Sequence, residues 1–144
     1  MRGWDGGKRI LGRKRHLVVD TLGLVLKAFV TEASYQDREV ASWLVPLLPE
    51  RFPRLKKLWA DGGYTGDWID QLPDDFPVDI EIVLPEPGQT GFKVIPWRWV
   101  VERTFAWLSQ YRRLSKDYEY LVTTADAMIY AAMIRLMLRR LARY

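Results

Sequence analysis

β-Branched and apolar positions cluster in "HLVVD" and again in "LVLKAFVT", with the short turn "TLG" between them, a pattern that predicts a β-hairpin. Beyond it, Val40, Trp43, Leu44, Leu47 and Leu48 recur at helical spacing and predict a helix within "SYQDREVASWLVPLL". Asp37 is placed to cap its start, and Pro46 removes a backbone donor from its last turn. Leu55 to Ala60 reads as a short strand that Asp61-Gly62-Gly63 ends abruptly, and residues 65–72 as one or two helical turns. "VDIEIVLP" is a further strand, closed by a Pro/Gly loop through "EPGQTG". A long helix begins near Pro96, since proline suits a first helical turn. The last stretch, "DYEYLVTTADAMIYAAMIRLMLRRLARY", predicts a helix capped near Thr124 and apolar on most of its surface up to Leu138. A helix of that kind is expected to be buried in a core.

The order hairpin, helix, strand, helix, strand, helix, helix describes a mixed α/β domain over residues 16–144. It is preceded by a Gly- and Arg/Lys-rich basic arm over residues 1–15. The 144 residues suffice for one core. A composition of 49% hydrophobic and 28% charged residues argues against wholesale disorder. The net charge of +4 and a pI near 9.4 suit a polyanionic partner. No cysteine and one histidine exclude thiolate and His-rich metal sites. A metal here must be held mainly by carboxylates and water, which selects hard ions such as magnesium or manganese. No apolar run reaches the roughly 18 residues of a membrane span, so a soluble cytoplasmic protein is expected.

The stretch "WRWVVERTFAWLSQYRRL" contains one acid, Glu102. On a helix it shares a stripe with Arg98, Ala106, Ser109 and Arg113, while Trp97, Val101, Thr104, Phe105 and Leu108 form the opposite surface. One reading is an Arg98–Glu102 pair worth about a few tenths of a kcal/mol. Asp61 likewise reads as a plain Asp-Gly turn, or as a functional group at the carboxyl end of a strand, where α/β sheets present them. Together the two acids could converge on a hard divalent cation, of the kind that works in pairs in phosphoryl transfer. Such a site normally needs another strand-borne carboxylate. Arg103, Arg112, Arg113 and Lys116 continue the positive surface of the Glu102 helix. With Trp99 they could grip phosphates and stack on bases. Trp97 and Trp107 are expected in the core, and the terminal "RRLAR" complements the helix dipole.

"GRKRHLVVDTLGL", "QDREVA", "LWADGGYTGDW" and "FKVIPWRWVVERTFAWLSQYRRLSKDYEYL" closely resemble the catalytic domain of IS5-type (IS4-superfamily) bacterial insertion-sequence transposases. The resemblance implies an RNase H-like mixed sheet flanked by helices, and an Asp, Asp, Glu triad acting on two Mg2+ or Mn2+ ions. Asp61 matches the family's second Asp, Glu102 its Glu, and Arg98 the arginine of the signature around that Glu. It further implies that Arg98 and its neighbours hold transposon-end and target DNA, with Trp99, Arg103, Arg112, Arg113, Lys14 and Arg15 as the candidate contacts by residue type, and it implies dimerisation during activity and a place at the bacterial nucleoid. The sequence departs from the pattern in two places. The strand carrying the family's first Asp lies upstream of the "GRKRH" region; Asp5 is a poor substitute and Asp20 reads as a turn residue. Ser109 stands where the family often has a lysine. His16 belongs to the basic approach to DNA or a strand start. The expectation is therefore a truncated or frame-split copy, lacking the first strand and inactive alone, for which an upstream-encoded part or a full-length transposase would be a partner. The alternative is a DNA-binding or interfering fragment without catalysis.

Overall fold

The computed structural model describes residues 2–84 and 97–143, so the "EPGQTG" loop and Pro96 lie outside the described residues. The chain is mixed α/β and divides into two compact units, residues 1–35 with 100–144, and residues 36–99.

The first unit is built on an antiparallel sheet of three strands in the order β1 (Gly3–Asp5), β2 (Ile10–Val19), β3 (Val25–Glu32). The expected hairpin is its β2–β3 pair, in register from Arg13 opposite Glu32 to Val18 opposite Lys27. Asp20 acts as the turn residue: its Oδ1 accepts the N–H groups of Leu22 at 2.9 Å and Leu24 at 2.8 Å. Residues 1–15, read from the sequence as a basic arm, carry β1 and the first half of β2. Trp4 pairs with Leu11, and the Asp5 carboxylate closes the intervening turn on the N–H groups of Gly7 and Lys8. A few basic residues on a pleated strand hide the period-2 signal, which is why the sequence pattern missed it.

Helix α4 (Val122–Leu141) packs on β3, and Ala28, Val30, Leu108, Leu114, Ala125, Ile129 and Ala132 form the buried cluster. The Tyr130 hydroxyl accepts the Ala28 N–H at 2.9 Å, so a side chain of α4 occupies part of the outer edge of β3. The expectation that this helix is buried nearly all round does not hold. Only Ala125, Ile129, Ala132 and Met133 are buried, and Ile134, Leu138 and Leu141 are 57%, 59% and 69% exposed. A three-stranded sheet offers one face of contact, which covers one stripe of a helix and leaves the opposite one in water.

The second unit begins with α1 (Asp37–Leu44), which breaks at Pro46 into a 3-10 turn and the short α2 (Leu48–Arg51). Gln36, not Asp37, is the capping residue: Glu39 accepts its N–H at 2.8 Å, and Asp37 is the first helical residue. Strands β4 (Lys57–Asp61) and β5 (Asp79–Val83) pair in parallel. Between them lie a 3-10 turn at Gly62–Tyr64 and irregular turns, where the sequence had suggested helix over residues 65–72. Trp68, 7% exposed and bonded to the Tyr64 carbonyl at 2.8 Å, anchors that crossover.

Candidate functional site

Asp61 is the last residue of β4, where the strand must end because Gly62 and Gly63 turn at once into a 3-10 helix. Its Oδ1 accepts the Gly63 N–H at 2.9 Å, so the carboxylate caps that turn. The same glycine brings a second acid close. A Cβ added at Gly63 would sit 3.1 Å from Asp61 Oδ1 and 3.4 Å from Asp37 Oδ2. Both carboxylate oxygens therefore border one point, and glycine is the residue that leaves it open. Tyr64 stands beside them, its hydroxyl pushed well above the usual phenol range by burial first and by the charges of Asp37 and Asp61 next. The Tyr64 phenol thus stays protonated as a donor throughout the physiological range.

Sequence reasoning missed Asp37 as part of this constellation and read it as a helix cap. Nothing in a separation along the chain signals that a first-turn helix residue meets a strand end. The Gly-Gly pair after Asp61 was the available signal, since it marks a place where something approaches the backbone closely.

Glu102 lies in the first unit, on helix α3 (Arg98–Ser109), and is exposed one turn after Arg98. The helix is anchored by Val100, Thr104 and Leu108, and Phe105, expected on the packed surface, is 37% exposed. The polar stripe of Arg98, Glu102, Ala106 and Ser109 is outward, as the spacing predicts. Thr104 is wholly buried and donates to the Gly23 carbonyl at 2.7 Å, and Arg103 donates to the Leu22 carbonyl at 3.0 Å. These two bonds fix the rotation of α3 against the hairpin turn, and with it the direction of Glu102. Among the described residues no three His, Cys, Asp or Glu side chains are grouped as they would be around a metal ion.

Arg98, Trp99, Arg112 and Arg113 are exposed. Several of the basic residues expected to contact DNA make bonds within the fold. Arg15 donates to the carbonyls of Leu114 at 2.7 Å and Lys116 at 3.0 Å, and burial lowers its pKa from the ordinary arginine value. Arg113 holds Glu119 Oε1 through Nε at 2.9 Å and Nη2 at 2.6 Å. Lys14 donates to the Tyr35 carbonyl at 2.9 Å. Arg103 lies over the Trp107 ring at 4.8 Å, and Arg140 over the same ring at 4.7 Å. Trp107 is thus capped by two cations instead of filling the core, and Trp97, also expected there, is 45% exposed and stacked on Trp59 at 4.8 Å. His16 is buried and bonded to Thr31 at 3.0 Å, which places it inside the sheet and off any approach to DNA.

The chain matches the family described as "Transposase DDE domain" over residues 1–137. It is 31% identical over 120 residues to a transposase assigned to insertion sequence element IS402 of Burkholderia cepacia, an alignment covering 75% of this chain and 54% of that protein. The chain therefore spans about half the length of the curated relative it matches. No solved structure matches it.

Proposed function

The chain belongs to the transposase DDE domain family, and on that premise we propose that it is catalytic-domain material of an insertion-sequence transposase, cutting and rejoining DNA strands at transposon ends and target. One observation carries the reading: a carboxylate at the carboxyl end of a parallel strand, Asp61, with a second carboxylate, Asp37, across the open face of Gly63. Strand ends of this kind are where parallel sheets place reactive groups, because the backbone stops there and the side chain meets solvent.

The family generally uses divalent metal ions, and the donors here suit them. Asp61 and Asp37 offer hard oxygen ligands bordering a gap that a Cβ would fill, as magnesium and manganese require. We propose that Asp61 and Asp37 hold such an ion, and that Glu102 is the family's metal-binding Glu, as its motif implies. Bound there, it would neutralise charge on the phosphate undergoing transfer and activate the attacking oxygen. The protein's own contribution is positional. The Gly63 N–H holds Asp61 in one orientation, and the Thr104 and Arg103 bonds set the face of α3 from which Glu102 projects. Arg98, Trp99 and Arg112 are the outward groups for phosphates and bases. Arg103, Arg113, Lys14 and Arg15 add positive potential while bracing the fold. The proposed setting is the cytoplasm at the nucleoid, with a dimer bridging the DNA ends.

The test is Mn2+ binding by the purified chain, followed by electron paramagnetic resonance, beside magnesium-dependent nicking of end-sequence DNA. Asp61→Asn and Asp37→Asn should each weaken Mn2+ binding by roughly tenfold or more, with circular dichroism unchanged. Wild-type affinity in Asp61→Asn would sink the metal reading. Duplex binding without nicking at saturating metal would favour the non-catalytic DNA-binding reading, which the exposure of Arg98, Trp99 and Arg112 also supports.

A further inference from the structure

Helix α4 is apolar on two opposite faces. Ala125, Ile129, Ala132 and Met133 are buried in the first unit, while Ala127, Ala131, Ile134, Leu138 and Leu141 are all exposed. The exposed set follows a four-three-four-three spacing, the period of a coiled-coil seam. Residues 127–143 contain no acid, and Arg139, Arg140 and Arg143 gather at the carboxyl end. A seam of this period exposed to water calls for a helical partner, since nucleic acid has nothing to offer an Ile/Leu stripe.

We infer that the exposed seam of α4 pairs with the same seam of a second copy of this chain, antiparallel and about a two-fold axis passing between Ala131 and Ile134. In an antiparallel pair each seam position meets the seam position of the other class. The register that overlaps the seam most fully places Ala131 opposite Ile134 of the second copy, Ala127 opposite Leu138, and Thr124 opposite Leu141. Every large side chain then faces a small one, in all six layers, so two helices can approach closely without voids. A two-fold contact is self-complementary by construction, so one stripe suffices for both partners.

Charge selects the same orientation. A parallel pair would bring together the two clusters of Arg139, Arg140 and Arg143 at the negative ends of both helices, where each cluster repels the other. The antiparallel pair separates them by the length of the seam, and Arg135, on the flank, faces Met128 of the second copy instead of another arginine. Area sets the strength. Ile134, Met137, Leu138 and Leu141, 57%, 41%, 59% and 69% exposed, dominate the stripe. With the alanines they offer roughly 500 Å² per copy, or about 1,000 Å² for the pair, the lower edge of specific interfaces. At that lower edge of specific interfaces the dimer is expected to be reversible. Because its contacts are apolar and its residual electrostatics repulsive, it tightens as salt rises.

The chain has no cysteine, which permits a direct test of the register. Ala127→Cys and Leu138→Cys chains, mixed and oxidised, should form a disulfide-linked pair. Neither should link to itself, since in this register residue 127 lies about 16 Å along the axis from its own counterpart, as does 138. Self-linking of Ala127→Cys would show a parallel pair and overturn the proposal. Analytical ultracentrifugation gives the second readout. The wild type should show a monomer–dimer equilibrium that strengthens from 0.1 to 1 M salt, on the order of the change from weak to full screening. Ile134→Glu should weaken it roughly 30-fold or more with circular dichroism unchanged. A wild-type chain that stays monomeric and instead sediments with anionic vesicles would assign the stripe to a lipid surface, and dimerisation unmoved by Ile134→Glu would place the contact elsewhere. Either result overturns the inference.

Discussion

Gly23 determines how helix α3 meets the hairpin. Its φ is +80°, a conformation that L side chains rarely adopt, and a Cβ there would lie 2.8 Å from Thr104 Oγ1 and 3.0 Å from a ring carbon of Trp107. Thr104 in turn donates to the Gly23 carbonyl. Gly23→Ala should therefore lower stability by about 2 kcal/mol, from backbone strain and the displaced helix together. Urea denaturation checks it, and an unchanged midpoint would show that α3 is not seated by this turn. Arg13 illustrates the opposite case of a residue whose chemistry suggested a surface role. Its side chain is 3% exposed, with Nε on Asp117 at 2.9 Å and Nη2 on the Glu119 carbonyl. With Arg15 it ties β2 to the segment after α3. The same residue types that could grip phosphate here satisfy carbonyls and carboxylates, and only the neighbours decide which.

At the scale of elements, the pairing of β3 with α4 rests on polar contacts as well as on the apolar cluster. Tyr130 meets the backbone of Ala28, and Asp126 faces the N–H of Val30 one turn earlier on the helix. Asp126 is shifted upward from the ordinary carboxylate value, by burial chiefly, with the Val30 N–H and Lys27 opposing. Its Oδ1 is buried and has no hydrogen-bond partner among the described residues. The sign follows. A carboxyl whose pKa is higher folded than unfolded favours the native state while protonated, and that contribution is lost as pH rises from the unfolded value of 3.8 through the folded one. Asp126→Asn keeps an acceptor for Val30 without the charge. Its melting temperature should exceed the wild type's at pH 7, and the difference should vanish near pH 3, where both side chains are neutral. A variant less stable than wild type at pH 7 would mean that the ionised group is better satisfied than its burial implies.

Over the whole molecule, a net charge of +4 is modest, and much of it is engaged internally. Duplex DNA binding should therefore depend on few phosphate contacts. Measured by fluorescence anisotropy between 50 and 200 mM salt, Arg98→Ala and Arg112→Ala should each reduce the slope of log affinity against log salt by about one. Arg13→Ala should leave that slope unchanged. Equal slopes in all variants would remove Arg98 and Arg112 from the DNA surface.

The sequence by itself determined the β2–β3 hairpin, the helices α1, α3 and α4, the strands β4 and β5, the polar stripe of α3, the arrest of β4 at Asp61 and the family. All of these are written in local periodicity, in Gly and Pro positions, or in continuous motifs. Tertiary structure alone decided what those elements do with their surfaces. Asp37 meets Asp61 across Gly63, residues 1–15 join the sheet, Arg13 and Arg15 turn onto carboxylates and carbonyls within the fold, and Arg113 pairs with the buried Glu119. The last helix keeps one of its two apolar faces in water. Each of these outcomes depends on which distant backbone lies opposite a side chain, and a pattern that repeats over two to four residues carries no record of that partner.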